Sequence, residues 1–139
     1  MNKNKVIGYT SGVFDMFHVG HLNILRQAKE KCDILIVGVS TDELVEQYKN
    51  IRPVIPFEER IAIVEAIKYV DKVIPQTTME KMEIWKITKF DIMFHGDEWK
   101  GTPLYNKYEE EFKEIGVNIV YLPHTKGVSS SELRRKIGK

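Results

Sequence analysis

The sequence predicts an α/β protein built on a doubly wound parallel sheet. Residues 33–39 (DILIVGV) form an apolar run rich in β-branched side chains, which is typical of a strand buried on both faces. A shorter apolar run lies at residues 5–9, and the segment 20–31 between them carries apolar residues such as Leu25 and Ala28 at helical spacing. These three segments have the length and order of a strand, helix, strand unit with parallel strands.

The middle of the chain continues the alternation. Residues 40–43 (STDE) have the spacing of a capping box and predict the start of a short helix. Pro53 and Pro56 bound a loop, and Pro56 fits the first turn of another helix. We expect that helix to carry its apolar residues at Ile63, Ile67 and Val70.

The remaining elements follow the same order. Val73 and Ile74 predict a brief strand, residues 79–88 a helix and residues 91–95 (DIMFH) a further strand. The next helix is predicted by four residues at helical spacing, Tyr105, Tyr108, Phe112 and Ile115. Gly116 ends that helix. Residues 117–122 predict the last strand, and residues 129–132 (SSSE) have the capping-box spacing that starts a helix through Ile137.

Length and composition bound the class of protein. With 139 residues, 42% of them hydrophobic, we expect one folded domain over residues 1–139. Twenty-one basic and twenty acidic side chains leave a net charge of +1, which gives no global attraction to nucleic acid or to a membrane surface. The single cysteine and the absence of a signal peptide or an apolar membrane segment favour a cytoplasmic protein.

The segment at residues 12–21 (GVFDMFHVGH) holds the most informative residues. It joins the first strand to the first helix, and ligands of doubly wound sheets bind at this end of the strands. His18 and His21 are three residues apart, so a helix beginning near His18 brings both imidazoles to one side. Two ring N–H donors beside a helix N-terminus favour a phosphate site.

Two other interpretations of the histidine pair remain open. A histidine near the start of a helix is often a cap or a hydrogen-bonded surface group. A pair at this spacing is also part of some zinc sites, but such a site needs a third ligand, and His95 and His124 lie far along the chain.

The segment His18-Val19-Gly20-His21 resembles the HxGH motif of the cytidylyltransferase family. The preceding segment, residues 12–15, resembles the G-T-F-D of that family with valine in place of threonine. The resemblance implies a Rossmann-like nucleotidyltransferase fold with His18 and His21 as catalytic residues. It also implies that the nucleotide is bound by the residues around the motif, namely Val13, Phe14, Asp15 and Gly20.

Further segments resemble the family in the same order along the chain. The family carries a functional lysine in the polar loop that lies here between Tyr48 and Pro53, which we assign to Lys49. It also carries an arginine in an E-R-x-x-x-V motif, here Arg60. The family's glycerol-phosphate branch, which the chain resembles most, has arginine where this chain has Lys68, so the resemblance implies an acceptor-binding role for it. From the pattern alone, Lys49 and Arg60 are also explained as solvated surface charges.

Two more segments extend the predicted site. Gly96, Asp97 and Trp99 belong to a segment that resembles the family's G-D-D-W stretch. This resemblance implies that Gly96 and Asp97 bind nucleotide and that Trp99 binds the acceptor, although a tryptophan more commonly covers the core. Residues 124–131 resemble the family's R-T-x-G-I-S-T-T. We therefore expect nucleotide contacts from Thr125, Ser129 and Ser130, and an acceptor contact from His124 in place of arginine.

The resemblance implies a reaction in which an acceptor phosphate attacks the α-phosphorus of CTP and pyrophosphate leaves. The implied partners are CTP and a phosphorylated small alcohol, led by glycerol 3-phosphate, with Mg²⁺ bridging phosphate oxygens and no metal site in the protein. The family commonly forms homodimers. The alternatives are an adenylyltransferase of the same fold, a cytidylyltransferase for ethanolamine, choline or sugar-alcohol phosphate, and a regulatory module that binds nucleotide without turnover.

Overall fold

A computed structural model describes residues 5–123 and 135–136. Five strands form one parallel sheet in the order β3-β2-β1-β4-β5. Their bounds are Ile7–Gly12 (β1), Ile34–Ser40 (β2), Lys72–Gln76 (β3), Ile92–Gly96 (β4) and Asn118–Leu122 (β5). The predicted α/β class with a doubly wound parallel sheet is therefore confirmed.

Five α-helices lie on the two faces of the sheet. Their bounds are Val19–Glu30 (α1), Asp42–Lys49 (α2), Phe57–Glu65 (α3), Lys81–Thr88 (α4) and Pro103–Lys113 (α5). A short 3-10 helix, Asp97–Trp99, follows β4. No described helix is both long enough and apolar enough to span a membrane.

Each face of the sheet packs its own apolar core. On one face, residues such as Leu35 and Val37 of β2 pack with Leu25 of α1 and Val64 of α3. On the other face, a second cluster contains Tyr9, Ile36, Ile84, Met93 and Phe112, the contributions of β1, β2, α4, β4 and α5. The alternation of side chains along β2 explains why its sequence is apolar at every position.

The sheet order places a switch point beside β1. The chain runs outward from β1 to β2 and β3, and α4 then carries it back across the sheet to β4 on the other side of β1. The carboxyl ends of β1 and β4 therefore meet where the winding reverses, and this is the end at which ligands bind in such folds. The starts of α1, α2 and α3 lie at the same edge because each follows that end of a strand or a short loop.

Several predicted elements differ from the structure at their ends. Ser40 is the last residue of β2, and Thr41 caps α2 by accepting a hydrogen bond from Leu44 N at 3.2 Å, so the predicted capping position was wrong by one residue. Helix α3 ends at Glu65, and Ile67 and Val70 pack against the core from the turns that follow it. Of the predicted C-terminal helix, only residues 135–136 are described, as helix.

Candidate active site

His18 and His21 together cap the N-terminus of α1. His18 is the cap residue, and its Nδ1 accepts a hydrogen bond from Gly20 N at 3.1 Å. In return, His21 Nδ1 accepts from His18 N at 3.2 Å, which completes a capping box built from two imidazoles. The rings stack with centroids 3.9 Å apart. The cap interpretation and the phosphate interpretation are thus compatible, because each cap uses only one ring nitrogen.

These hydrogen bonds define the protonation of both rings. A ring nitrogen that accepts from a backbone N–H carries no proton, so each neutral imidazole carries its proton on Nε2. Burial lowers the pKa of His18, and burial together with the neighbouring His18 lowers the pKa of His21 to about 4 against the opposing charge of Asp15. Both rings are therefore neutral Nε2–H donors near pH 7.

His18 Nε2 is a buried polar atom with no hydrogen-bond partner among the described residues. Buried polar groups are nearly always paired, so an orphaned one calls for an explanation. Here it lies at the N-terminus of α1, where the positive end of the helix dipole favours anions. The site therefore offers a hydrogen-bond donor to an anionic group such as a phosphate oxygen.

Aromatic packing holds the second imidazole in place. The rings of Phe14 and Phe17 lie 5.4 Å and 5.2 Å from the ring of His21. Phe14 and Met16 both have positive φ, at 56° and 50°, which is rare for side chains of their size. Such strain is typical of a functional turn that its surroundings hold in place.

The segment after β4 lies on the other face of the sheet at the same edge. Gly96 ends β4, Asp97 begins the 3-10 helix and Trp99 ends it. The ring of Trp99 lies 5.7 Å from the ring of His95 and 5.6 Å from that of Tyr105, and the residue is 40% exposed. Trp99 is therefore partly packed against the protein and partly open to solvent.

The comparisons with known proteins agree with this geometry. The family model described as cytidylyltransferase-like matches residues 9–136, which is nearly the whole chain. The chain belongs to the cytidylyltransferase-like family. The predicted family and the predicted class of enzyme, a nucleotidyltransferase, are thereby confirmed.

Individual members of the family extend the match. Glycerol-3-phosphate cytidylyltransferase of Bacillus subtilis is 37% identical over 134 residues, covering 96% of each chain. FAD synthase of Thermococcus sibiricus is 37% identical over 123 residues, covering 88% of this chain and 83% of the relative. The crystal structure of a lipopolysaccharide core biosynthesis protein from Thermoplasma volcanium GSS1 superposes with a TM-score of 0.74 at 23% identity, covering 90% of this chain and all of that one, and it shows the fold.

Asp15, predicted to bind nucleotide, anchors a loop in this structure. The residue is 1% exposed, and its two carboxylate oxygens accept from Val54 N at 2.8 Å and from Ile55 N at 2.9 Å. These contacts attach the loop before α3 to the turn that precedes the histidine pair. Its contact with nucleotide stays a prediction.

Arg60, also predicted to bind nucleotide, likewise forms hydrogen bonds with the backbone of other segments. Its Nε donates to Ile55 O at 2.8 Å, and its Nη1 donates to Val13 O at 2.7 Å and to Ser40 O at 2.8 Å. The side chain is fully buried, so this cation of the cytidylyltransferase-like fold holds the ends of β1 and β2 together. It is not the solvated surface charge that the sequence pattern also allowed.

The two predicted lysines lie in different places. Lys49 is the exposed last residue of α2, with its Nζ 5.9 Å from the centre of the Tyr48 ring. Lys68 follows α3 and comes shortly before Asp71, whose carboxylate accepts from Leu35 N near the start of β2. Lys68 lies between the end of α3 and the start of β3, and its acceptor-binding role stays a prediction.

The C-terminal part of the predicted site lies outside the described residues. This applies to His124, Thr125, Ser129 and Ser130, whose roles stay predictions. Within residues 5–123 and 135–136, no group of three or more histidine, cysteine, aspartate or glutamate side chains is placed to hold a metal ion.

The sequence analysis missed Lys81 and gave His95 no role of its own. Lys81 is the first residue of α4 and is 4% exposed, while His95 is the next-to-last residue of β4. The only signal in the sequence was the position of each beside the carboxyl end of a strand. The burial of Lys81 appears only once the sheet is assembled.

Proposed function

We propose that the protein transfers CMP from CTP to glycerol 3-phosphate and releases pyrophosphate. The observation that carries the proposal is the orphaned Nε2 of His18 at the N-terminus of α1, which provides a neutral donor for a phosphate oxygen. The similarity to a glycerol-3-phosphate cytidylyltransferase over 96% of both chains supports the choice of nucleotide and acceptor.

The reaction is a direct displacement. A phosphate oxygen of the acceptor attacks the α-phosphorus of CTP, the bond from that phosphorus to the bridging oxygen breaks, and pyrophosphate leaves on the opposite side. No enzyme nucleophile takes part, so catalysis depends on positioning and on stabilising the charge that develops on the leaving oxygens.

The histidine pair is suited to that second task. The two Nε2–H groups donate to phosphate oxygens without bringing a positive charge, and the positive end of the α1 dipole favours the anion at the same place. Because the Nδ1 atoms are bound to backbone N–H groups, the rings do not turn when charge moves from the α-phosphate to the leaving group. The site is thus organised before the substrate binds.

Other predicted residues complete the proposal. Lys49 neutralises the triphosphate from the end of α2, and Gly96, Asp97 and Trp99 line the nucleotide and acceptor region beyond β4. Thr125, Ser129 and Ser130 bind phosphate oxygens from the C-terminal segment, with His124 near the acceptor. A homodimer and a cytoplasmic location also belong to the proposal.

Mg²⁺ belongs to the proposal as an ion that arrives with CTP. The described residues offer no cluster of oxygen ligands for it, and both oxygens of Asp15 accept backbone N–H groups. The residues therefore fit an ion held by phosphate oxygens and water, as Mg²⁺ commonly is. When bound, it would neutralise charge on the triphosphate.

A second candidate is adenylyl transfer. It is favoured by the match to FAD synthase of Thermococcus sibiricus, which is 37% identical to this chain. The same histidine pair would serve either nucleotide, because it contacts phosphate and not base.

The test is a panel of nucleoside triphosphates against phosphorylated alcohols, with pyrophosphate release as the readout and mass spectrometry of the product. We expect release only with CTP, and most rapidly with glycerol 3-phosphate. Release with ATP and a flavin mononucleotide acceptor would favour the second candidate. Tight CTP binding with no release against any acceptor would contradict the enzyme and indicate a regulatory module.

A further inference from the structure

Arg52 ties the loop between α2 and α3 to the helix that precedes it. Its Nη1 donates to Glu46 Oε2 at 2.5 Å, and its Nη2 lies 3.7 Å from Asp42 Oδ2. Asp42 and Glu46 are four residues apart, so both carboxylates lie on one side of α2. The loop of residues 50–56 therefore folds back along that side, and one guanidinium holds it there.

Glu46 accepts two contacts that close the C-terminal end of α2. Its backbone oxygen accepts from Asn50 N at 3.0 Å, where the chain leaves the helix in a left-handed conformation with φ of 61°. Its carboxylate accepts from Arg52, and a cation beside the last turn also complements the negative end of the helix dipole. With eight residues, α2 is too short to be stable from its own backbone hydrogen bonds. The order of its last turn, which ends at Lys49, therefore depends on contacts of this kind.

The contact with Asp42 places this arrangement at the carboxyl ends of the strands. Asp42 Oδ1 pairs with Arg60, whose Nη1 donates to Ser40 O at the end of β2. Asp42 Oδ2 accepts from Phe57 N at 3.3 Å, at the start of α3, and is the atom that lies near Arg52. One carboxylate thus connects the loop to the edge of the sheet where the nucleotide is proposed to bind.

The ion pairs of Arg52 are exposed, so their effect is on position more than on stability. The side chain of Arg52 is 56% exposed and that of Glu46 is 42% exposed. Exposed pairs change stability little because water screens the charges. The loop is next fixed at Val54 N and Ile55 N, which the Asp15 carboxylate holds. Arg52 supplies a fixed point between that anchor and the end of α2.

We propose that Arg52 is a positioning residue for the nucleotide, because it fixes the last turn of α2 and thereby Lys49, which neutralises the triphosphate. The inference rests on the proposed function, which brings the triphosphate to this edge. Arg52 acts through Glu46 and does not itself touch the substrate. Loss of the pair therefore weakens CTP binding and leaves the acceptor site as it is.

The test uses the opposite charges of the pair. Arg52→Gln and Glu46→Gln both break the contact, so each should raise the KM for CTP roughly fivefold, about the most that one exposed ion pair supplies. Electrostatic attraction alone predicts the reverse for Glu46→Gln, since removing a negative charge favours an anionic substrate. The double variant should show no larger rise than either single variant, because both substitutions remove the same interaction.

Arg26→Gln and Glu30→Gln are the matched controls. They break an exposed arginine–glutamate pair on α1 and change the net charge by the same amounts. We expect both controls to keep the KM for CTP within about twofold of the wild-type value. The kcat, the KM for glycerol 3-phosphate and the Tm should be nearly unchanged in all four single variants.

Three results would overturn the inference. A KM for CTP that rises in Arg52→Gln but stays or falls in Glu46→Gln would mean that Arg52 binds the triphosphate directly. Equal rises of the KM for CTP and for glycerol 3-phosphate, with a lower Tm, would make the pair structural. The same KM for CTP in Arg52→Gln and Arg26→Gln would remove Arg52 from the site.

Hydrogen exchange, followed by NMR, separates this inference from the proposed function. If CTP-dependent release of pyrophosphate is absent, the proposed function fails, but the amide of Asn50 still reports on the end of α2. In Arg52→Gln that amide should exchange several-fold faster, while Val54 and Ile55 keep their wild-type rates because Asp15 holds both amides. A wild-type exchange rate at Asn50 would overturn the positioning role whether or not the protein turns over CTP.

Discussion

Arg60 Nη2 lies 2.5 Å from Asp42 Oδ1, and the side chain of Arg60 is wholly shielded from solvent. The same guanidinium donates to the backbone oxygens of Val13, which follows β1, and of Ser40, which ends the neighbouring strand β2. The edge at which the proposed substrates bind is thus held together by one buried ion pair. Such a pair need not add net stability, but removing one partner leaves the other charge buried.

Asp42→Asn should therefore destabilise the protein strongly. We expect the free energy of unfolding to fall by about 3–5 kcal/mol, because Arg60 keeps its charge and loses its counter-ion. Urea denaturation measures the change. Glu30→Gln is the control, since the Arg26–Glu30 pair is exposed and should contribute no more than about 0.5 kcal/mol. Equal effects of the two substitutions would contradict the role given to Arg60.

His18→Asn separates capping from catalysis. Asparagine is a good N-cap, so its side-chain oxygen replaces Nδ1 and the helix should keep its stability. The Nε2–H donor is lost, and we expect kcat to fall about 100-fold or more with Tm nearly unchanged. His18→Ala should lose both, including about 1 kcal/mol of stability. Near-normal turnover of the asparagine variant would exclude the donor role.

Asp15→Asn tests whether this residue anchors the loop or binds nucleotide. An amide presents one acceptor where the carboxylate presents two, so either Val54 N or Ile55 N loses its partner. We expect a loss of about 1–3 kcal/mol in the free energy of unfolding, together with faster hydrogen exchange at those two amides. A higher KM for CTP with unchanged stability would instead support a direct contact with nucleotide.

Lys49→Ala should mainly raise the KM for CTP. The side chain is exposed at the end of α2, so its removal should leave the Tm unchanged and should weaken neutralisation of the triphosphate. Lys113→Ala is a matched control, because Lys113 is likewise the exposed last residue of a helix. Identical steady-state constants for Lys49→Ala and the wild type would remove it from the site.

Stability should decrease as the pH falls from about 6.5 to about 4. The pKa values of His21 and His95 are lowered to about 4, so over this range the unfolded chain binds protons that the folded chain does not. Stability therefore rises with pH through this window. His95→Leu should reduce the slope of unfolding free energy against pH by up to about 1.4 kcal/mol per pH unit. An unchanged slope would mean that His95 titrates normally.

The sequence by itself determined the order of elements and the family. Continuous apolar runs at β1, β2 and β4, separated by helical periodicity, define a parallel sheet because strands buried on both faces have no polar side. The HxGH motif predicted the start of α1. Because the motif follows β1, the sequence also placed the two histidines at the carboxyl ends of the strands, where ligands bind in such folds. These inferences depend on local spacing, which the linear chain contains.

Only the tertiary structure decided what several charged residues do. The sequence gives no sign that the polar residues Arg60, Asp15 and Lys81 are buried. Each becomes buried because strands distant in the chain lie side by side. Burial and the pairing of charges depend on contacts across the sheet, and local spacing does not contain those contacts.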